Sequence, residues 1–133
     1  MSDFAERLTA AFNQGKTVPR EYDPSCAAGP RGKCHDNAAE YVRQHGGTVV
    51  HGWVPEGAGY YAKHSIVEHN DRMIEVIRQS ETPFPFVRHD QFPDDWNTLG
   101  IFVTDFDAWS KGVHVRAKEP KPAMFGLLRL LKG

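Results

Sequence analysis

The hydrophobic pattern of the chain changes at Gly46-Gly47, and this change limits the fold more than any other feature. Before the two glycines, apolar residues recur every three or four positions, which predicts helices over residues 4–12 and 34–45. After them, β-branched and aromatic runs predict strands over residues 48–54, 60–69, 72–77 and 99–106. Helices followed by strands predict an α+β fold, with the N-terminal helices packed on an antiparallel β-sheet.

Other segments complete this outline. Residues 16–33 are interrupted by proline and glycine, so they are predicted to be a loop that leads into the second helix. A short strand is predicted near residues 86–88, an edge strand over 113–117 and a C-terminal helical segment over 120–133. A chain of 133 residues fits one domain, so residues 1–133 are expected to form a single domain.

Charge and composition bear on the function classes. Sixteen Lys and Arg residues against seventeen Asp and Glu residues give a net charge of −1 without basic blocks, so no nucleic-acid or membrane partner is expected. No apolar run approaches the roughly 20 residues that span a bilayer. Two cysteines, Cys26 and Cys34, are too few for a disulfide scaffold. These features predict a cytoplasmic protein with reduced thiols, and they suggest no cofactor.

Cys34 is predicted to open the second helix, directly after the basic segment 29–33. The N-terminus of a helix presents backbone N–H groups and the positive end of its dipole, and both stabilise a thiolate. The same N–H groups can receive the oxyanion of a tetrahedral intermediate. This position favours a nucleophile, although a buried cysteine that only packs is the simpler interpretation.

A base and an acid are placed by the hairpin that Asn70-Asp71 predicts. With the turn centred there, Ile66 lies opposite Glu75, so His64 and Glu75 are diagonal neighbours on one face. A register slip of one residue would separate them. Glu75 is flanked by apolar residues, so it either lies on a solvated face or is held in place for a purpose. Glu68 is the alternative acid.

Four short motifs follow one another in the chain: Gly32-Lys33-Cys34-His35-Asp36-Asn37-Ala38, Val50-His51-Gly52-Trp53-Val54, Ala62-Lys63-His64-Ser65-Ile66-Val67 and Ile74-Glu75-Val76. Their succession resembles a group of small bacterial and phage proteins that are similar to papain-like and transglutaminase-like cysteine hydrolases. The resemblance implies that fold, with Cys34 as nucleophile, His64 as base and Glu75 as the acid that orients the histidine. Those enzymes more often carry Asp or Asn as the third member, so Glu75 departs from the pattern.

Four further residues are candidates for substrate binding or for support of the site. Asn37 follows Cys34 by one helical turn, so it either holds the preceding loop or donates to a substrate carbonyl. Trp53 either packs in the core or forms a substrate platform. Tyr60 and Tyr61 follow a glycine-rich loop and could line a cleft.

A site of this kind predicts thiol-dependent acyl transfer: hydrolysis of an amide or peptide bond, deamidation of a glutamine side chain, or transamidation. All three reactions pass through one thioester, so the sequence does not choose among them. The expected substrate is a protein or a small amide. One alternative is a non-catalytic interaction module on the same fold. Another is a zinc site built from Cys34, His35, His51 and His64, although the close ligand pairs typical of zinc are missing.

Overall fold

The structure is a computed structural model, and it describes residues 2–22, 34–77 and 84–116. The helices in these residues are α1 (Ser2–Asn13), α2 (Cys34–His45) and α3 (Phe106–Lys111). The strands are β1 (Glu21–Tyr22), β2 (Thr48–Gly57), β3 (Tyr60–His69), β4 (Arg72–Glu75), β5 (Val87–Arg88) and β6 (Phe102–Thr104). Short 3-10 helices cover His89–Gln91 and Trp96–Thr98. The predicted C-terminal segment and most of the loop before Cys34, including Cys26, lie outside the described residues.

The strands form one sheet in the order β1-β4-β3-β2-β5, and β6 pairs with β3. The pairs β2–β5, β3–β4 and β3–β6 are antiparallel, whereas β1 and β4 run parallel. The predicted class is therefore confirmed as a mixed α+β fold with an N-terminal helix and a mostly antiparallel sheet. The predicted bounds of the second helix, Cys34 and His45, agree with α2, and α1 extends the predicted range 4–12 to Ser2–Asn13.

The described residues divide into two compact units. The first unit contains residues 2–18, 51–64 and 84–116, and the second contains 19–22, 34–50 and 65–77. Each unit has a hydrophobic cluster of its own.

The core of the first unit is built on α1. Its apolar residues recur at helical spacing, so one face of the helix is buried, and Phe4, Leu8 and Phe12 are each at most 2% exposed. This face packs on β5 and β6. The cluster comprises Phe4, Ala5, Leu8, Ala11, Phe12, Trp53, Tyr61, Val87, Leu99 and Val103.

In the second unit, α2 packs on the hairpin of β3 and β4. Cys34 and Ala38 are the buried residues of the helix, and they share a cluster with Val67 and Ile74. Val67 and Ile74 are direct partners across the hairpin. The predicted packing of the Cys34 helix on an antiparallel sheet is thus confirmed within this unit.

The hairpin has the predicted turn and the predicted register. Asn70 and Asp71 have φ values of 52° and 61°, and two successive positive φ values are typical of the tight two-residue turn that joins antiparallel strands. Val67 pairs with Ile74. One residue further from the turn, this register sets Ile66 opposite Glu75.

The C-terminal part of the described chain differs from the prediction. The strand expected over 99–106 is confined to Phe102–Thr104, and residues 113–116 contain no strand. Asp105 instead begins α3 by accepting a hydrogen bond from the Ala108 N–H at 3.2 Å, and Gly112 ends the helix in the left-handed conformation. An aspartate seven residues before a glycine is a start and stop signal for a short helix. Because many of residues 99–106 are apolar, the sequence predicted a strand there instead of the start of this helix.

Gly52, in the Gly-Trp motif, is required by close packing in the first unit. A Cβ atom there would lie 2.3 Å from Phe86 Cζ and 2.3 Å from the Val87 carbonyl oxygen. We expect Gly52→Ala to lower the free energy of unfolding by about 2 kcal/mol, because overpacking forces the neighbours to shift. Urea unfolding should show this loss, and Gly57→Ala is the control, because nothing lies within 4 Å of a Cβ at Gly57. Equal midpoints for the two variants would contradict the explanation.

Candidate active site

Cys34 is the first residue of α2 and is 4% exposed. Helix α2 begins at the residue that the sequence predicted. Two opposing effects act on the ionisation of the Cys34 thiol. The dipole and N–H groups of the helix N-terminus favour the thiolate, while the apolar contacts with Ala38, Val67 and Ile74 favour the thiol. That His64 is the polar partner of Cys34 stays a prediction from the sequence.

His64 lies in β3 and is 6% exposed. Its ring meets the ring of Phe86 edge to face, with centroids 6.1 Å apart. Both residues belong to the first unit. This ring contact limits the orientations of the imidazole.

Glu75 is the last residue of β4 and is 4% exposed, so the solvated-face alternative is wrong. Arg20 Nη1 donates to Glu75 Oε1 at 2.5 Å. The other carboxylate oxygen, Oε2, accepts the Val76 N–H at 3.1 Å and the Ile77 N–H at 3.5 Å. The carboxylate is therefore held at both oxygens. Glu68, the alternative acid, lies opposite Met73 and is half-buried.

Arg20 was not among the site residues that the sequence predicted. It directly precedes β1, and its side chain is 0% exposed. A buried acid needs a cation, so Glu75 pointed to a basic partner, but no local pattern singles out Arg20 among sixteen Lys and Arg residues. Only the parallel pairing of β1 with β4 brings it to Glu75.

A second unpredicted contact joins α2 to β3 within the second unit. His35 Nδ1 is hydrogen-bonded to the hydroxyl of Ser65, which is fully buried. His35 is exposed, as a position that turns away from Cys34 on a helix should be, yet it is anchored to the strand. The chain neighbours of these two residues are Cys34 and His64. The contact thus ties the start of α2 to the part of β3 that follows His64.

Alternation along the hairpin assigns its residues to two faces. Val67 and Ile74 form the pair that packs with α2. Ile66 and Glu75 occupy the next position and take the opposite face, where Ile66 is fully buried. Immediately after Glu75 the strand ends, and Val76 and Ile77 both join the cluster that contains Cys34.

The four remaining candidate residues differ in how deeply they are buried. Trp53 and Tyr61 are 0% exposed and lie in the core of the first unit. Tyr61 shares a hydrogen bond of 2.6 Å with the Thr9 hydroxyl, and burial raises the pKa of the Tyr61 phenol above its ordinary value. Tyr60 is half-buried and stacks on Phe102 with centroids 5.2 Å apart. Asn37 is half-buried on α2.

The Trp53 indole is fixed by a buried histidine. Its Nε1 donates to His89 Nδ1 at 3.0 Å, so the proton of a neutral His89 resides on Nε2, which donates to the Asp94 carbonyl oxygen at 2.6 Å. Both nitrogens of this ring are thereby engaged. The tryptophan of the Gly-Trp motif orders the interior of the first unit.

Metal and membrane features bear on the alternative functions. Within residues 2–22, 34–77 and 84–116, no group of three His, Cys, Asp or Glu residues is arranged to hold a metal ion. His51, one of the four zinc candidates, stacks on Trp96 with centroids 4.9 Å apart. None of the described helices has the length and apolar character needed to cross a membrane. Comparisons with family models, curated proteins and solved structures found no match to this chain.

Proposed function

We propose that this protein is a thiol-dependent acyl-transfer enzyme with a papain-like or transglutaminase-like site. Cys34 is the nucleophile, His64 is the base, and Glu75 orients the imidazole. The observation that carries the proposal is the hairpin register: Val67 pairs with Ile74, and extending this register by one residue sets Ile66 opposite Glu75. With a slip of one residue, His64 and Glu75 would belong to different faces of the hairpin.

Two further observations support the proposal. Glu75 is a buried carboxylate bonded to Arg20, and an ionised acid is what an orienting residue needs in order to stabilise an imidazolium. The hydrogen bond between His35 and Ser65 connects the chain neighbours of Cys34 and His64.

The reaction follows from these roles. His64 takes the thiol proton, and the sulfur of Cys34 forms a bond to the acyl carbon of an amide. The N–H groups at the start of α2 donate to the oxyanion. The imidazolium then gives its proton to the leaving amine as the carbon–nitrogen bond breaks, which leaves a thioester. Water completes hydrolysis or deamidation, and an amine completes transamidation. The substrate is a protein or a small amide.

The proposal requires that the Cys34 thiol and the His64 imidazole interact, and alkylation tests this requirement. We expect iodoacetamide at pH 6 to label Cys34 about ten times faster than Cys26, because a thiolate paired with an imidazolium persists below the ordinary thiol pKa. His64→Ala should remove this advantage. Peptide mapping by mass spectrometry assigns the label, and His114→Ala, at an exposed position, is the control.

A panel of electrophilic probes extends the alkylation test to other reagents. A stable adduct at Cys34 that forms in the parent and in His114→Ala, but not in His64→Ala, supports the enzyme. The burial of Cys34 at 4% exposure favours a second candidate, a non-catalytic interaction module. That candidate is supported if Cys34 labels no faster than Cys26 in the folded protein and both label equally in urea.

A further inference from the structure

We infer that the apolar surface around β6 and α3 is the contact through which two copies of this chain associate. Five large apolar side chains on or directly beside these two elements are between 50% and 69% exposed, and we call them the apolar patch: Ile101, Phe102, Phe106, Trp109 and Val113. All five belong to the first unit. The inference does not depend on the acyl-transfer proposal.

The two faces of β6 have different surroundings. Val103 and its partner Tyr61 on β3 both lie in the hydrophobic cluster of the first unit. Side chains alternate along a strand, so Phe102 takes the face opposite to Val103. On that face the Phe102 ring stacks on Tyr60, with ring centroids 5.2 Å apart and planes 12° apart, and it stays half exposed. The core of the first unit therefore does not use this pair of rings.

The turn before β3 places α3 near the same end of the sheet. A Cβ atom at Gly59 would lie 2.7 Å from the Trp109 backbone nitrogen and 3.0 Å from the Ala108 Cβ, so the helix packs closely on this turn. Ala108 is buried, whereas Phe106 and Trp109, which are neighbours at a spacing of three, are exposed. The Val113 N–H donates to the Ala108 carbonyl oxygen at 3.0 Å, which turns the chain back beside the helix. The exposed residues of α3 thus lie close to the start of β3, where β6 pairs.

The size of the apolar patch suits a contact between proteins. Three aromatic and two aliphatic side chains, each at least half exposed, present roughly 500 Å² of apolar surface. The largest apolar patch on a typical monomer is about 300–600 Å² and is often functional. A homodimer interface of standard size buries about 800 Å² on each partner, of which about 65% is apolar. The apolar patch therefore supplies the apolar centre of a small interface, and we expect a transient dimer with a Kd on the order of 10–100 µM.

The charges on α3 favour a second copy over an unrelated partner. Asp107 and Lys111 are both exposed and lie one helical turn apart, with Lys111 Nζ 3.1 Å from Asp107 Oδ1. The contacts in a two-fold dimer are reciprocal, because both copies present the same surface. When two α3 helices lie antiparallel across the axis, Asp107 of each copy faces Lys111 of the other. The surface is thus complementary to itself in charge as well as apolar.

Sedimentation velocity of the full chain at concentrations from about 1 to about 500 µM tests the inference. We expect the sedimentation coefficient of the parent to rise across this range from that of a monomer toward that of a dimer. Phe106→Ala and Trp109→Ala should each raise the Kd by about tenfold or more, because buried aromatic side chains carry most of the binding energy of an interface. Phe84→Ala is the matched control, since Phe84 is exposed and lies outside β6 and α3, and its Kd should stay within about twofold of the parent.

Charge reversal tests the antiparallel arrangement. Lys111→Glu makes both charged positions of α3 acidic and Asp107→Lys makes both basic, so each variant should repel its own copies and raise the Kd by about fivefold or more. An equimolar mixture of the two variants should form a heterodimer with about the parent affinity, because acidic positions then face basic ones. Arg43→Glu reverses an exposed charge on α2, and its Kd should match the parent.

Urea unfolding separates a loss of association from a loss of folding. At about 1 µM the chain is monomeric, so the midpoint of Trp109→Ala should match that of the parent. At about 200 µM the parent midpoint should rise, because association stabilises the folded state, whereas the midpoint of Trp109→Ala should not.

Three results would overturn the inference. The first is a parent that stays monomeric at about 500 µM, and binding of that monomer to phosphatidylcholine vesicles would assign the apolar patch to a lipid surface instead. The second is a dimer that Phe106→Ala and Trp109→Ala leave intact, which would place the contact elsewhere on the chain. The third is a mixture of the two charge variants that dimerises no better than either variant alone. A dimer that both aromatic variants weaken and that the mixture restores supports the inference.

Discussion

Arg20→Met is expected to lower the free energy of unfolding by about 3–5 kcal/mol, because it removes the cation from a buried ion pair and leaves the acid in the interior. Both members of the ion pair are buried: the Arg20 side chain is 0% exposed and the Glu75 side chain is 6% exposed. Chemical unfolding in urea, followed by far-UV circular dichroism, measures the change.

Arg72→Met is the matched control for this prediction. It removes an arginine from the same pair of strands, but its partner Glu21 is reached from the surface, and the Arg72 side chain is 47% exposed. Exposed ion pairs contribute about 0–1 kcal/mol, so the control should stay near the parent. Combining Arg20→Met with Glu75→Leu should recover most of the loss, because no charge is then left inside. If the two arginine variants have equal midpoints, the buried pair is not structurally important.

Trp53→Ala is expected to cost about 3–5 kcal/mol through the cavity it creates in the first unit. Trp53 is fully buried and packs on Phe4 and Trp96, each with ring centroids 5.2 Å away. The substitution also leaves Nδ1 of the buried His89 without the indole N–H that it accepts. Urea unfolding of this variant measures both effects together.

Trp109 offers a control with the same change of side chain. It lies on α3 and is 59% exposed, so Trp109→Ala should change the free energy of unfolding by about 0.5 kcal/mol or less. Trp53→Phe keeps an aromatic ring and loses the N–H donor, which separates the packing effect from the hydrogen bond. A Trp53→Ala variant as stable as Trp109→Ala would contradict the role of Trp53 in the core.

The parts of the fold that the sequence predicted are those with local signals. The hairpin follows from the two turn residues, Asn70 and Asp71, between two β-branched runs, and α2 follows from its periodicity and the glycines after it. In contrast, β1 is two residues long and exists through its pairing with β4, a partner more than fifty positions away. No local pattern predicts such a strand, because its stability comes from the sheet rather than from its own residues.

The same distinction applies to the candidate site. The positions of Cys34 at a helix start and of Glu75 on the hairpin were predictable, because each depends on a local element. The burial of Glu75 was not, since a charged residue between apolar neighbours is compatible with either side of a strand until its partner is known. Arg20 supplies that partner, and Ser65 supplies the one for His35. Both contacts join segments distant in sequence.

The two units alternate along the chain. The first takes residues 2–18, 51–64 and 84–116, and the second takes segments between them. Neither unit corresponds to a continuous stretch of the gene, so a single genetic crossover would exchange fragments of both. Such a chain does not acquire or lose one unit as a module by recombination. The two units are therefore inherited together.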